Sequence, residues 1–359
     1  MKILILANFD VGLYQFRREL IETLLPGNEV LLSLPYGSWV EPLKEMGCHF
    51  IDTPMDRRGM NPVRDFRLLL TYWKMLKTQK PDLVITYTIK PNVYGAFAAR
   101  VLRIPYAVNI TGLGTAFQGD GMLRKVVTAM YRLSCKRAKV VFFENSENCQ
   151  IFLNEKIVKE EQTCLLSGAG VNLSHYQVSD YPKGEGTRFL FIGRVMKEKG
   201  IEELFAAMRR LRAGGIPCTL DVLGGFEEDY KALMEEFQAE GWLRYHGYQA
   251  DVRPFIADSH CFVLPSWHEG MANTNLECAA SGRPVITSNI HGCLEAVEDG
   301  VTGYLCEKQN ADDLYRVMKH FTELPYDHRK AMGLAGRHRM EKIFDKNQVV
   351  EKTVFHLMK

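Results

Sequence analysis

The stretch "FIGRVMKEKGIEELFAAM" (residues 191–208) contains one complete strand–turn–helix transition. The strand is "RFLFIG" (188–193), a short apolar run that ends at a glycine. A helix follows, in which Ile201, Leu204 and Phe205 recur at the spacing of one helical face. Because glycine allows tight turns and paired cations attract anions, this turn is a candidate site for a phosphate-bearing ligand. Its glycines and cations are Gly193, Arg194, Lys199 and Gly200.

The same alternation of short apolar runs and helical patterns extends in both directions along the chain. "KILILA" (2–7), "DLVITYT" (82–88) and "PYAVNIT" (105–111) are three strands of the amino-terminal half. Helical segments such as 121–138 separate these strands. Alternating strands and helices predict an α/β fold, in which parallel sheets carry helices on both faces.

The alternation pauses at 167–186, a segment rich in Gly, Ser and Pro, which indicates a linker. A chain of 359 residues also suits two domains better than one. We therefore predict two doubly wound, Rossmann-like domains with a cleft between them, where ligands of such sheets bind. The predicted segments are an N-terminal acceptor domain at 1–170, a linker at 171–186, a nucleotide-binding domain at 187–335, and a helix at 336–359 that packs back toward the N-terminal domain.

Composition excludes several classes of protein. The apolar fraction is 46%, the charged fraction 25% and the net charge +2, which is typical of a globular protein and gives no indication of nucleic-acid binding. The nine cysteines have no metal-like spacing, so we expect free thiols and no bound metal or other cofactor. No run approaches the roughly 18 apolar residues of a membrane span. We therefore predict a cytoplasmic protein.

A second candidate segment, "HEGMANTNLECAASG" (268–282), follows a strand and leads into a helix. Glu269 follows the strand, and Glu277 lies eight residues further on, in the first turns of the helix. We expect Asn273 or Thr274 to cap that helix. Its free N–H groups could bind phosphate, and Gly270 would let the backbone approach a ligand closely. Taken alone, either glutamate is more commonly an ordinary surface acid.

Taken together, "GRVMKEKG" and "HEGMANTNLE" resemble the motifs of the retaining glycosyltransferases of family 4, which have the GT-B fold. "SGAGVNLSHY" (167–176) and "GCLEAVEDGVTGYL" (292–305) are similar to further segments of that family. "VITYTIKPNVYGAFAARVLRIPYAVNITGLG" (84–114) is similar to members that build lipid-linked polysaccharide and capsule repeat units. The resemblance covers nearly the whole chain, and its motifs occur in the family's order.

The resemblance implies a role for each matching residue. Arg194 and Lys199 would hold the donor diphosphate, Glu269 would bind donor-sugar hydroxyls near the anomeric carbon, and Glu277 would bind the ribose. The remaining donor-binding residues would be Gly12 (in a loop after the first strand), Gly193, Gly270, Met271, Ala272 and Asn273.

The chain departs from the family pattern at two positions. Thr111 stands where many members have a histidine, which weakens any prediction of a side-chain base in the N-terminal domain. His260 stands where an aspartate is common.

The acceptor is expected on the basic N-terminal domain, since residues 1–180 carry a net charge of +5 and the remainder −3. The predicted acceptor-side residues are the cations Arg17, Arg57 and Arg58 and the uncharged Thr111. The segment 121–138 could lie on an anionic membrane, such as the cytoplasmic face of the inner membrane. The alternative is that its apolar side packs on the domain core.

The implied reaction is transfer of a sugar with retention, from a nucleotide sugar to a sugar acceptor that is expected to be linked to polyprenyl diphosphate. UDP carrying a hexose or N-acetylhexosamine is favoured by family frequency. No DxD-like pair follows a strand, so we predict that no metal is needed. The departing phosphate oxygen would take the acceptor proton, and Glu269 as a covalent nucleophile is the less favoured alternative. A nucleotide-sugar 2-epimerase and a non-catalytic nucleotide-sugar-binding subunit remain alternatives.

Overall fold

The structure is a computed structural model that describes residues 1–56, 61–114, 117 and 121–359. The chain forms two compact units. The first unit contains Met1–Ala169 and Lys346–Lys359, and the second contains Gly170–Asp345.

The first unit is built on a parallel sheet. Its strands are β1 (Lys2–Leu6), β2 (Glu29–Leu34), β3 (His49–Asp52), β4 (Leu83–Tyr87), β5 (Tyr106–Ile110), β6 (Val140–Phe143) and β7 (Thr163–Leu165). In the described residues they are ordered β3-β2-β1-β4-β5-β6-β7. All strands are parallel, but the order in which the chain adds them to the sheet reverses between β1 and β4.

Helices cover both faces of this sheet because its strands alternate apolar side chains between the faces. Ile3 and Ile5 of β1 pack in one buried cluster, and Leu4 and Leu6 pack in another. The first cluster includes α1 (Asp10–Leu24), α2 (Val40–Glu45) and α13 (Lys346–Met358). The second includes α3 (Pro62–Gln79), α4 (Ala96–Leu102), α5 (Met122–Cys135) and α6 (Ser146–Asn154).

The second unit repeats this architecture. Its strands are β8 (Thr187–Ile192), β9 (Cys218–Leu223), β10 (Leu243–Gly247), β11 (Cys261–Leu264), β12 (Val285–Ser288) and β13 (Gly303–Cys306). Among the described residues they form a parallel sheet ordered β10-β9-β8-β11-β12-β13, which reverses between β8 and β11. Its helices are α7 (Ile201–Ala213), α8 (Lys231–Ala239), α9 (Arg253–Asp258), α10 (Asn273–Ala280), α11 (Ala311–Glu323) and α12 (Tyr326–Ile343). The predicted α/β class with two doubly wound sheets is confirmed.

The predicted domain boundaries need correction. The segment predicted as a linker, 171–186, belongs to the second unit. The buried guanidinium of Arg283 holds it there, donating to the carbonyl oxygen of Asp180 at 2.8 Å and to Ser179 Oγ at 2.8 Å. The boundary predicted after residue 335 falls inside α12, which is one continuous helix. The chain returns to the first unit at Lys346. Of the segment 336–359 that we predicted to pack on the N-terminal domain, only the part from Lys346 onward, which forms α13, belongs to the first unit.

Candidate active site

The turns after β8 and β11 meet at the point where the second sheet reverses its strand order. Parallel α/β sheets bind ligands at this position. Gly200, in the turn after β8, has a positive φ of 71°, and a Cβ there would overlap the carbonyl oxygen of Pro265. The backbone N–H of Trp267 donates to Glu198 O at 2.9 Å. Glycine at position 200 therefore allows the two turns to lie in direct backbone contact.

The docked turns bring together two residues that are 70 positions apart in sequence. The Lys199 ammonium forms an ion pair with Glu269 Oε1, and Ser266 Oγ donates to the same oxygen at 2.8 Å. The two charged side chains are only 18% and 12% exposed. A sheltered ion pair has a stronger electrostatic interaction than a solvated one, because less water screens it. The structure thus places Lys199 and Glu269 in one preorganised pair.

The backbone of Glu269 is fixed from a third segment. Gly292 has a φ of 90°, and a Cβ there would lie 2.6 Å from the carbonyl oxygen of Glu269. The Ala272 N–H donates to Gly292 O at 2.7 Å. The Cys293 thiol is buried beside this segment, and burial and the Glu269 charge both raise its pKa. The site therefore includes the 292–293 segment, which sequence reasoning assigned to a family motif without giving it a role.

Arg194 shares the turn with Lys199 but has another partner. Its guanidinium is 47% exposed and lies 3.3 Å from Glu227. An exposed pair of this kind is weak, so the side chain can move to a stronger anion such as a phosphate.

Gly193 donates its N–H to Leu223 O at 2.9 Å, and a Cβ on Gly224 would overlap the Gly193 carbonyl.

Helix α10 begins at Asn273, behind the loop that carries Glu269. The predicted cap at Asn273 or Thr274 is wrong: the N-cap is Ala272, and no side chain of the described residues caps the helix. Because Asn273 is already the first helical residue, its side chain cannot cap the first turn. Its Oδ1 is buried and, within the described ranges, has no hydrogen-bond partner. Gly270 is half-buried, and Met271 is almost fully buried.

Glu277 lies one turn further along α10 and is half-buried. The Tyr176 hydroxyl is hydrogen-bonded to Glu277. Burial is the largest cause that raises the pKa of Tyr176, and the charge of Glu277 raises it further. Tyr176 was not among the predicted site residues. The motif "SGAGVNLSHY" contains it, but periodicity gives no indication that this segment packs against α10.

The predicted site residues of the first unit lie in several different environments. Gly12 is the third residue of α1 and not part of a loop, because β1 ends at Leu6 and the helix already starts at Asp10. Arg17 is buried, forms an ion pair with Glu144, and lies over the Tyr87 ring at 5.1 Å. The guanidinium is thus paired in the interior of the first unit, and the acceptor-side role predicted for Arg17 stays a prediction.

Thr111 immediately follows β5. Arg57 and Arg58 lie outside the described residues.

Helix α5 buries some of its apolar side chains and exposes others, which its sequence alone did not decide. Val127 and Tyr131 pack into the core, whereas Met122 and Val126 are 76% and 48% exposed. One face of 121–138 thus packs on the domain core, as the second alternative predicts, and the other face is solvent-exposed; contact with a membrane stays a prediction. No helix in the described ranges is both long and apolar enough to cross a bilayer.

Known proteins share both the sequence pattern and the fold. Residues 27–147 match the family model "Glycosyl transferase 4-like domain", and residues 179–339 match "Glycosyl transferases group 1". The N,N'-diacetylbacillosaminyl-diphospho-undecaprenol alpha-1,3-N-acetylgalactosaminyltransferase of Campylobacter jejuni is 27% identical over 88% of this chain and 87% of its own. The UDP-Gal:alpha-D-GlcNAc-diphosphoundecaprenol alpha-1,3-galactosyltransferase of Escherichia coli is 27% identical over 74% of this chain and 73% of its own.

Among solved structures, that of Anabaena HepE in complex with UDP has a TM-score of 0.81 at 16% identity and covers 100% of both chains. A glycosyltransferase from Rickettsia africae has a TM-score of 0.78 at 19% identity and covers 99% of this chain and 97% of its own. Two family models in chain order, on two doubly wound units of this topology, identify the chain as a glycosyltransferase of the GT-B fold.

Proposed function

We propose that the chain transfers a hexose or N-acetylhexosamine with retention, from a UDP-linked donor bound by the second unit. The observation that carries the proposal is the sheltered Lys199–Glu269 pair at the strand reversal. A nucleotide sugar has an anionic diphosphate next to a hydroxyl-rich ring, and this pair offers one cation and one carboxylate side by side. The Escherichia coli relative is named for UDP-Gal, and HepE was solved with UDP, which supports UDP as the nucleotide.

Each group has a physical task in this reaction. Lys199 and Arg194 stabilise negative charge on the departing diphosphate, which is the largest electrostatic demand of the transition state. Glu269 accepts hydrogen bonds from sugar hydroxyls near the anomeric carbon, and Glu277 does so from the ribose. A phosphate oxygen of the leaving group takes the acceptor proton. Because side chains and helix amides supply the positive charge, we propose that no metal is needed.

The proposed acceptor is a sugar linked to polyprenyl diphosphate. Two relatives are named for diphospho-undecaprenol substrates. A long apolar polyprenyl chain partitions into a membrane. We propose that the exposed side of α5 contacts an anionic membrane surface at the cytoplasmic face of the inner membrane. Met122, Val126 and Leu133 would enter the headgroup region, while the exposed Lys125 would meet lipid phosphates.

The test is nucleotide release from a panel of UDP-, GDP- and ADP-sugars, with EDTA and a lipid diphosphate sugar acceptor. Release of one nucleotide by the wild type, lost in Lys199→Ala, supports the proposal and identifies the donor nucleotide. Lys197→Ala is the matched control, because Lys197 shares the turn but lies 3.6 Å from Glu202 and 52% exposed. Release that needs a divalent metal would overturn metal independence. Silence from every donor would favour the binding-subunit alternative, and conversion of the donor to its 2-epimer would favour the epimerase.

A further inference from the structure

Helix α3 exposes an apolar stripe on the first unit. Val63, Phe66 and Leu70 are 62%, 60% and 51% exposed. Their spacing of three and four residues aligns them along one side of the helix, away from the buried Leu68 and Tyr72. An exposed apolar stripe of this length indicates a contact with an apolar partner.

A cavity of about 350 Å³, lined by both charged and apolar side chains, opens on a neighbouring side of the same helix. Two ion pairs line it, Arg64–Asp56 at 2.5 Å and Lys90–Asp65 at 2.7 Å. The Asp65 and Lys90 side chains are each 13% exposed. Each carboxylate has two oxygens and can accept hydrogen bonds beyond its ion pair. A cavity with this volume and lining suits a sugar ring, whose hydroxyls both donate and accept.

Arg67 connects the cavity to the stripe. It lines the cavity, and it lies one helical turn from both Val63 and Leu70. Within the described ranges, which omit 57–60, no carboxylate forms an ion pair with Arg67. An unpaired guanidinium at a cavity mouth is a ready partner for a phosphate, because its planar donors match two phosphate oxygens.

The helix layer that contains α3 has the charge expected of a surface facing anionic lipid. Together α3, α4, α5 and α6 carry eight Lys or Arg residues and two acids, the largely buried Asp65 and the exposed Glu147. On the opposite face of the sheet, α1, α2 and α13 carry five cations and six acids. The positive charge is therefore concentrated on the side of the first unit that also exposes the apolar stripe.

We propose that α3 is the binding element for the lipid-linked acceptor. The cavity takes the sugar, Arg67 takes the diphosphate, and the stripe of Val63, Phe66 and Leu70 takes the first part of the polyprenyl chain. Around the circumference of α3, the Asp65 carboxylate, the Arg67 guanidinium and the apolar stripe follow one another in the order in which sugar, diphosphate and hydrocarbon follow one another in the acceptor. This inference rests on the proposed function and replaces Arg17, which is committed to Glu144.

The experiment compares binding of the full chain to two kinds of phosphatidylcholine vesicle. One carries undecaprenyl diphosphate, and the other carries phosphatidylglycerol at equal charge. The wild type should prefer the diphosphate vesicles. Arg67→Ala should lower affinity for them by about tenfold, the usual weight of a charge-assisted contact, with a much smaller effect on phosphatidylglycerol vesicles. Arg67→Lys should recover part of the loss, since it restores the charge without the planar fork.

Lys74→Ala is the matched control, because it removes the same charge from the exposed side of α3, outside the cavity. It should weaken binding to both kinds of vesicle slightly and equally. Phe66→Ser should reduce binding to the diphosphate vesicles and leave affinity for inorganic diphosphate unchanged. If Arg67→Ala and Lys74→Ala behave alike on both vesicles, the surface responds to charge only, and the α3 proposal is overturned.

Nucleotide affinity of the same samples separates this inference from the proposed function. Wild type and Arg67→Ala should bind UDP equally, because α3 belongs to the first unit. UDP binding and turnover without any preference for diphosphate vesicles would overturn the α3 proposal and leave glycosyl transfer standing. Absence of both UDP binding and turnover in the wild type would overturn the proposed function itself.

Discussion

The turns after β8 and β11 contrast with the exposed sides of α3 and α5. In the turns, backbone segments dock through glycine, and the charged pair of Lys199 and Glu269 is largely buried. On the helices, large apolar side chains remain in solvent. A small ligand that must react is best served by fixed groups, because fixed dipoles need no reorganisation during the reaction. A bilayer surface, which we propose α5 contacts, needs only apolar area and charge.

The strongest way to break this comparison is to remove the carboxylate from the buried pair. Glu269→Gln should lower kcat/KM by about a hundredfold or more, because a positioned charge acting on the reacting sugar is lost. The measurement is turnover with the donor found in the nucleotide panel. Glu198→Gln is the control, since Glu198 lies in the opposing turn, 3.5 Å from the exposed His268. Near-normal turnover by Glu269→Gln would mean that the pair is structural.

Burial of a neutral histidine in the second unit should make the stability of the fold depend on pH in the acid range. His260 is buried beside β11, its Nδ1 accepts the Arg188 N–H at 3.0 Å, and burial followed by the charge of nearby arginines lowers its pKa to about 4. The unfolded chain binds this proton near pH 6.5 and the folded chain only near pH 4. The contribution of His260 to the free energy of unfolding is therefore complete above pH 6.5. Up to about 3 kcal/mol of it is lost as the pH falls toward 4.

Urea unfolding of the wild type and His260→Gln at several pH values measures this effect. The variant should have a flatter dependence between pH 6.5 and 4. An equal slope in both proteins would assign the acid sensitivity to other groups.

Two alanine substitutions can separate the steric cost of a side chain between the two turns from the cost of a positive φ by itself. Gly200→Ala should cost about 1–3 kcal/mol more than Gly215→Ala. Both glycines have nearly the same φ, 71° and 73°, but a Cβ at 215 meets no atom of the described residues within 4 Å. Thermal unfolding gives the difference in Tm. Equal losses would mean that the turns separate easily and that the site is less rigid than the comparison requires.

On the exposed helices, an apolar-to-polar change should affect binding without affecting stability. Val126→Ser should weaken binding to anionic vesicles by about threefold to fivefold, through lost apolar burial, with Tm almost unchanged. Val301→Ser is matched to it, because both valines are 48% exposed and Val301 lies in the second unit. A drop in Tm for Val126→Ser alone would indicate that the side of α5 carrying Val126 also packs against protein.

The smallest effect is expected at the edge of the buried site. Tyr176→Phe removes the hydroxyl that is hydrogen-bonded to Glu277 and should lower nucleotide affinity by only a few-fold, because one hydrogen bond that orients a carboxylate is lost. Calorimetry with UDP and its 2'-deoxy analogue measures it, and Tyr230→Phe, which loses a bond to Glu202 at 2.9 Å, is the control. An equal loss for both nucleotides would indicate that Glu277 does not contact the 2'-hydroxyl.

The strands that sequence reasoning found and missed fall into two physical classes. Buried strands such as β1, β4 and β11 are continuous apolar runs and are readily predicted. The four strands at the sheet edges, β3, β7, β10 and β13, escaped prediction. They are short, with polar residues or glycine, and β3 exposes half of its residues, because an edge strand has only one neighbour.

The sequence by itself determined the α/β class, the two doubly wound sheets and the turns that carry Lys199 and Glu269, since hydrophobic period and local turn chemistry depend on near neighbours. Tertiary structure alone decided that Arg17 is buried against Glu144, that α12 runs through a predicted boundary, and that Tyr176 meets Glu277. It also decided which side of α3 stays in solvent. These features depend on contacts between residues far apart in the chain, which no local pattern records.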